Sequence, residues 1–325
     1  YIDVFFEGTK ELMRQIKERH PRILMEQMIV HHDKVHVIYQ NTNGTEFETY
    51  KGSYAISLMY SGHEGEVSTS FFGTDILTDS LDRPFMELGS LEKDLADVEA
   101  QLSTVPMTGK FEGTVVLPPS SLASFLYSIL GNFVSDGVIL EKTSIWLDKL
   151  QQKVADERIT LSISPEDPRI VCGPHYTGDG FRGRDYDLIK DGVLQSFMLS
   201  LYVANKAGLS PAANSAYSLV MEGGDVAYED MIKDIKKGII VGRFSGGQPS
   251  TNGDFSGVAK NSFLVEDGQI KGAISETMIN GNLAELLNHL VAISKETVAD
   301  GSTVLPYVAF DGVVISGKGE PADEQ

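Results

Sequence analysis

His32 and His36 stand four residues apart, a spacing that on a helix lets two imidazoles reach one metal ion. Their neighbours, however, alternate as strands do, with a turn expected at Asp33-Lys34. On a strand the same spacing leaves both rings on one face but roughly 13 Å apart, too far for a shared ion. They read as exposed strand and turn residues. Cys172 and His175 form a Cys-x-x-His pair, but zinc needs about three protein ligands and no second pair lies close in sequence. An ordinary loop is the expectation there. His63-Glu64, flanked by glycines, reads as a loop tip. The stretch from Gly242 to Asp254 is rich in glycine and invites a phosphate-binding reading. It has neither the Gly-Lys-Ser/Thr ending nor the Gly-x-Gly-x-x-Gly order that a phosphate cradle needs. No serine stands in a Gly-x-Ser-x-Gly elbow.

The 325 residues carry 46 Asp and Glu against 27 Lys and Arg, a formal net charge of −19. Such a surface repels a phosphate backbone unless its basic residues cluster. They do not: Lys233, Lys236 and Lys237 alternate with Asp230 and Asp234. Direct nucleic-acid binding is therefore not expected. The most apolar run, Leu122 to Val134, is interrupted by Ser124, Ser128, Gly131 and Asn132, whereas a membrane span needs about 20 apolar residues. A single cysteine rules out an internal disulfide framework and fits a reducing compartment, so a cytoplasmic location is expected. The chain starts Tyr1-Ile2-Asp3 without methionine, and is expected to begin inside a longer protein.

Periodicity predicts an α+β chain of two domains, residues 1–108 and 109–325, with the break at Ser103 to Gly109. A helix is expected over residues 9–20, capped by Thr9, followed by strands around Met28-Ile29-Val30, Val35 to Tyr39 and Tyr54 to Tyr60, with Asn43-Gly44 as a hairpin turn. A second helix is expected from Ser90 to Leu102. The second domain opens with a strand over Gly113 to Leu117 and a helix from Ser120 to Val134, whose Leu122, Phe125, Leu126, Ile129, Leu130 and Phe133 form one apolar face. Asp191-Gly192, Asp267-Gly268 and Asp311-Gly312 each suit a tight primed turn. Asn282 caps a helix with Leu283, Leu286, Leu287, Leu290 and Val291 on its buried stripe, and Gly317 to Gln325 reads as a loose tail.

Two segments carry a family resemblance. The first is Gly178-Asp179-Gly180-Phe181-Arg182-Gly183-Arg184-Asp185 followed by Leu188-Ile189-Lys190-Asp191-Gly192-Val193-Leu194. The second runs from Asn252-Gly253-Asp254-Phe255-Ser256-Gly257 through Phe263 to Ile270 and ends at Ile279-Asn280-Gly281-Asn282-Leu283. In order, spacing and context they resemble the TldD/PmbA family, and most of all its PmbA (TldE) branch, over about residues 110–316.

The resemblance implies a two-domain α+β fold. It also implies a pairing in which a catalytic sister holds zinc through His-Glu-x-x-x-His and a later cysteine and cleaves unfolded or small peptides, while the PmbA-like chain holds no zinc. The family's older label, modulator of DNA gyrase, implies no DNA contact of its own. Matched to the family's helix, Tyr127 and Asn132 stand where the histidines would be and Ser128 where the glutamate would be. The glycine-rich segment corresponds to the shared cavity, which makes Arg243, Gln248 and Asn252, with Tyr127 and Asn132, candidate peptide contacts. The expected partners are a catalytic sister chain or a second copy, and a peptide substrate, with no cofactor in this chain. Two other readings stay open: a stand-alone binding or scaffold protein, as a monomer or a homodimer, and an enzyme built around Cys172 and His175.

Overall fold

A computed structural model describes residues 2–317; residues 318–325 of the expected tail lie outside the described residues. Helix α1 (Ile2–Arg19) buries Phe5, Leu12 and Ile16 on one stripe. It begins a full two turns before the expected cap. Thr9 lies inside it and donates its Oγ1 hydrogen bond to the Phe5 carbonyl at 2.9 Å, a bond to the preceding turn rather than a cap.

Strands β1 (Ile23–Gln40) and β2 (Glu46–Glu64) pair antiparallel from Ile23 opposite Gly62 to Gln40 opposite Glu46. Asp33-Lys34 does not turn: these residues face Ser53 and Gly52 within one continuous strand, where exposed polar side chains cost little. The chain reverses instead over 41–45, where the Asn41 Oδ1 accepts the N–H groups of Asn43 and Thr45, both at 3.0 Å. The short β3 (Val67–Ser68) folds back on the end of β2, and β4 (Phe72–Thr78) pairs with its Tyr54–Tyr60 stretch. Helix α2 (Leu91–Ala100) joins α1 in covering this four-stranded sheet, with Leu91, Leu95 and Val98 buried in one cluster with Ile56, Leu58 and Tyr60.

From β5 (Lys110–Leu117) onward the strands join a second sheet of thirteen strands among the described residues. Its axis is the strand Val304–Ser316, antiparallel to β5, to Leu290–Ala299 and to Thr277–Asn282. Asp191-Gly192 and Asp267-Gly268 are hairpin turns, with positive φ at both residues of each pair. Asp311-Gly312 is not. It sits in the middle of the long strand, where the register against β5 jumps between Phe310 and Val313 and the Asp311 N–H is diverted to the His289 carbonyl. A bulge and a primed turn both ask for positive φ, so the dipeptide does not tell them apart.

Helix α3 (Pro119–Ile129) starts on a proline, as a first turn permits, and runs into a wider π-helical turn, Leu130–Val134. Its inner residues and Phe133 share one core with Val115, Leu117, Phe255, Leu283 and Val308. Each such side chain, fully buried, contributes about 1.5–3 kcal/mol. Asn282 does cap a helix, accepting from Ala284 N and Glu285 N, but that helix, Leu283–Leu286, lasts one turn. Leu290 and Val291 belong to the next strand, where Leu290 pairs with Phe310 of Val304–Ser316 and Val291 falls in a bulge. The whole is an α+β architecture. No helix among the described residues is long and apolar enough to cross a membrane.

Candidate functional site

The apolar stripe of α3 turns inward, with Leu122, Phe125, Leu126 and Ile129 buried. The opposite side must then face outward, and it carries Ser120, Ser124, Tyr127 and Gly131. Part of that side forms one wall of a cleft of about 430 Å³ whose other wall is the four-stranded sheet. His31, Asp75, Asp94, Ser120, Tyr127 and Asp300 line it. These residues are spread over almost the whole chain, and only the meeting of the two sheets brings them together. Leu77 of β4 ties the sheets at the cleft by donating its N–H to the Asp300 carbonyl at 2.8 Å.

The cleft is acidic. Asp94 is pushed up to about 7, chiefly by burial, against hydrogen bonds to its Oδ2 from Ser90 Oγ at 2.8 Å and Thr74 Oγ1 at 2.9 Å. Burial also raises Asp300, although it accepts the N–H groups of Ser302 and Thr303, both at 2.7 Å. Tyr127 is held protonated by burial and by the Asp300 carboxylate, and its hydroxyl donates to the Tyr217 carbonyl at 3.2 Å. The wall of α3 thus offers the hydroxyls of Ser120 and Tyr127 beside the small apolar side chains of Pro119 and Ala123.

The five residues singled out in the sequence fall in four places. Tyr127 lines the cleft. Asn132, on the π-helical turn, donates its amide to the Ser250 carbonyl at 2.9 Å and so meets the glycine-rich loop. Asn252 belongs to that same loop but spends its side chain internally: its Nδ2 donates to Asp254 at 3.0 Å, its Oδ1 pairs with Ser250 Oγ, and its own carbonyl accepts from Asn282. Gln248 is exposed at the loop's tip. Arg243 starts the strand opposite Lys260, away from the tip, and its guanidinium lies over the Phe71 ring at 4.4 Å from the centroid. Burial pulls its pKa down, and among the described residues its Nε has no hydrogen-bond partner.

Cys172 and His175 turn to different partners: the Cys172 thiol donates to the Gly52 carbonyl at 3.2 Å, and His175 lies 3.8 Å from Glu166. His32 stacks on Tyr54, while His36 stacks on Tyr50 and contacts Glu48 at 2.7 Å. Among the described residues no three His, Cys, Asp or Glu side chains gather as a metal-binding group. At the helix positions where the family resemblance implies zinc ligands, the donors do not fit that ion. Tyr127 resists ionisation, Ser128 donates its hydroxyl to Ser124 O, and the Asn132 amide is committed to the loop. Asp94, His31 and Asp300 were not singled out in the sequence, where each looks like an isolated surface residue.

Residues 108–317 match the model of the PmbA/TldA metallopeptidase C-terminal domain. The metalloprotease PmbA of Escherichia coli O157:H7 is 27% identical over 205 residues, covering 61% of this chain and 45% of that protein. The chain thus spans about half the length of that curated relative. A crystal structure from Bacteroides thetaiotaomicron, of a protein named a modulator of DNA gyrase, is 26% identical with a TM-score of 0.84, covering 98% of this chain and 72% of its own. The structure of TldE from Thermococcus kodakarensis superposes with a TM-score of 0.81 at 23% identity, over 98% of this chain and 75% of its own, a likeness of fold.

Proposed function

Since the chain belongs to the PmbA/TldD metallopeptidase family, we propose that it is the substrate-shaping subunit of a zinc peptidase whose metal and general base sit on a second chain. The observation that carries this reading is the outer face of α3. It lines a cleft through Ser120 and Tyr127, while the three positions matched to the family's zinc helix, Tyr127 and Ser128 on α3 and Asn132 on the turn after it, are neutral and already hydrogen-bonded within the fold. Hydrolysis by zinc needs an ion with an open position and a base beside it. This face supplies surface and hydrogen bonds instead. Unfolded or small peptides are the proposed substrates, the cytoplasm the proposed location, and a sister chain carrying His-Glu-x-x-x-His the proposed partner. DNA is not proposed as a ligand, given the net charge of −19.

Reconstitution tests the reading. Turnover of an unfolded peptide is expected from the mixture of this chain with such a sister and from neither alone. Filling the cleft with Ser120→Trp, at an exposed helix position, is expected to cut turnover by the pair at least about tenfold, equivalent to about 1.4 kcal/mol, with an unchanged melting temperature. Full turnover by the Ser120→Trp pair would remove the cleft from the substrate path, and hydrolysis by this chain alone would overturn the division of labour.

A further inference from the structure

At Tyr127 the cleft meets a second groove, of about 560 Å³, because the carbonyl that Tyr127 holds belongs to Tyr217, a residue of that groove's wall. Met198, Leu199, Leu201 and Pro211 give the groove apolar lining, and Arg182 and Arg184 line it too. The two arginines differ. Arg182 pairs with Glu166 at 2.5 Å. Arg184 makes no ion pair, side-chain hydrogen bond or ring contact among the described residues. Of the chain's nine arginines it stands alone in this. Arg14, Arg19, Arg22, Arg158 and Arg169 also pair with carboxylates; Arg83 donates to the Glu87 carbonyl and Arg243 covers the Phe71 ring. In a chain with 46 acidic residues to 27 basic ones, a guanidinium left without a carboxylate is conspicuous.

Its mounting is rigid. Arg184 N donates to the Ala213 carbonyl at 3.1 Å, and its own carbonyl accepts Asn214 Nδ2 at 2.7 Å. Asn214 is 3% exposed and also reaches the Ile163 carbonyl, so three segments are locked beneath the side chain. The neighbouring loop is braced as well: Phe47, at the far end of the β1–β2 hairpin, stacks on Tyr176 with centroids 3.7 Å apart. Gly180 has φ +85, and a Cβ there would come within 2.7 Å of the Tyr39 ring, so any other residue would be strained at this position. Of the two carboxylates in the groove, Asp136 accepts the Ser200 N–H at 2.9 Å, and neither it nor Asp179 pairs with Arg184.

A guanidinium offers a planar fork of donors that matches a carboxylate with two parallel hydrogen bonds. Beside an apolar wall, that fork suits a carboxylate attached to an apolar neighbour. We infer that Arg184 binds a carboxylate of the peptide whose chain runs through the adjoining cleft, with an apolar side chain of the same peptide resting on Met198 and Leu201. The inference rests on the peptide-cleft reading above and adds to it a ligand group and a residue. The carboxylate can come from the peptide's C-terminus or from an acidic side chain.

Fluorescence anisotropy with the full chain and three labelled peptides separates these. The first ends in leucine with a free carboxylate, the second is its C-terminal amide, and the third is an amide with glutamate next to the leucine. The free acid is expected to bind about tenfold tighter than the plain amide, and Arg184→Gln to abolish that difference while leaving the amide's affinity unchanged. Arg184→Lys, which keeps the charge but not the fork, is expected to keep part of it. Recovery of tight binding by the glutamate amide would assign the carboxylate to a side chain, and its absence to the C-terminus; either is consistent with the site. Equal binding of acid and plain amide, or a preference that survives in a folded Arg184→Gln protein, overturns the inference while the cleft reading stands. Failure of all three peptides to bind removes both.

Discussion

Replacing Asp94 by asparagine is expected to raise stability at pH 8 by about 2 kcal/mol and to change it little at pH 4. Burial lifts this carboxyl from 3.8 to about 7. An acid whose folded pKa exceeds its unfolded one binds its proton more tightly in the native state. Its stabilising effect is therefore complete below the unfolded value, declines as pH rises toward 7, and stays lost above that. A shift of this size corresponds to about 4 kcal/mol at most. Asp94 keeps some contact with solvent, which brings the expected gain to about half. Asparagine can still accept from Ser90 and Thr74 through its oxygen, so the local bonds survive. The facing groups are Asp97 and Lys93 on the same helix and Tyr60 and Thr74 on the sheet; Asp97 and Asp300 are raised too, so a weaker slope of the same sign remains in the variant. Urea titrations of both proteins at the two pH values give the answer. A stability difference that is the same at pH 4 and pH 8 would show that folding does not raise the Asp94 pKa.

A larger loss is expected from Gly301→Ala. Gly301 has φ +91, and a Cβ built there would lie 1.9 Å from the Leu77 carbonyl oxygen, a backbone atom that cannot swing aside. Strain at such a φ costs about 1–3 kcal/mol, and the clash adds to it by forcing apart the strand and loop that the Leu77–Asp300 hydrogen bond joins. The total expected is about 4 kcal/mol, with faster hydrogen exchange at the Leu77 amide as the local sign. Gly44→Ala is the matched control. Its φ is +84 but nothing lies within 4 Å of the added carbon, so it should cost only the backbone strain. Equal losses in the two variants would mean that the contact between the sheets is not held at this point.

Much of this fold is written in local chemistry. The stripe Leu122, Phe125, Leu126 and Ile129 has one arrangement that buries it, and the Asp-Gly pairs at 191–192 and 267–268 sit between β-formers that leave room for nothing but a hairpin. What escaped were the choices that depend on distant partners. Asp311-Gly312 became a bulge because β5 pairs with the strand on both sides of it. The run after Asn282 left its helix after one turn because Leu290 and Ile293 found partners on Val304–Ser316. The cleft was illegible for the same reason: His31, Asp94 and Asp300 acquire a common surroundings only once the sheets meet. Arg243 and Asn252 sit close in sequence, yet the strands that pair residues 243–246 with 257–260 hold them at opposite ends of a hairpin. The resemblance, by contrast, rested on short segments whose spacing survives without the tertiary structure, and it pointed to the family to which the chain belongs.

The claim on which the functional reading turns is that α3 of this chain presents no zinc site. Metal analysis of the isolated chain, purified and then incubated with excess zinc and desalted, tests it most directly. The expected result is well below about 0.1 zinc per chain, the same after Cys172→Ser or His175→Ala, with no hydrolysis of an unfolded peptide, since Tyr127, Ser128 and Asn132 supply none of the roughly three ligands zinc requires. About one zinc retained per chain, accompanied by peptide hydrolysis and lost on substituting Tyr127, Asn132, Cys172 or His175, would contradict the account.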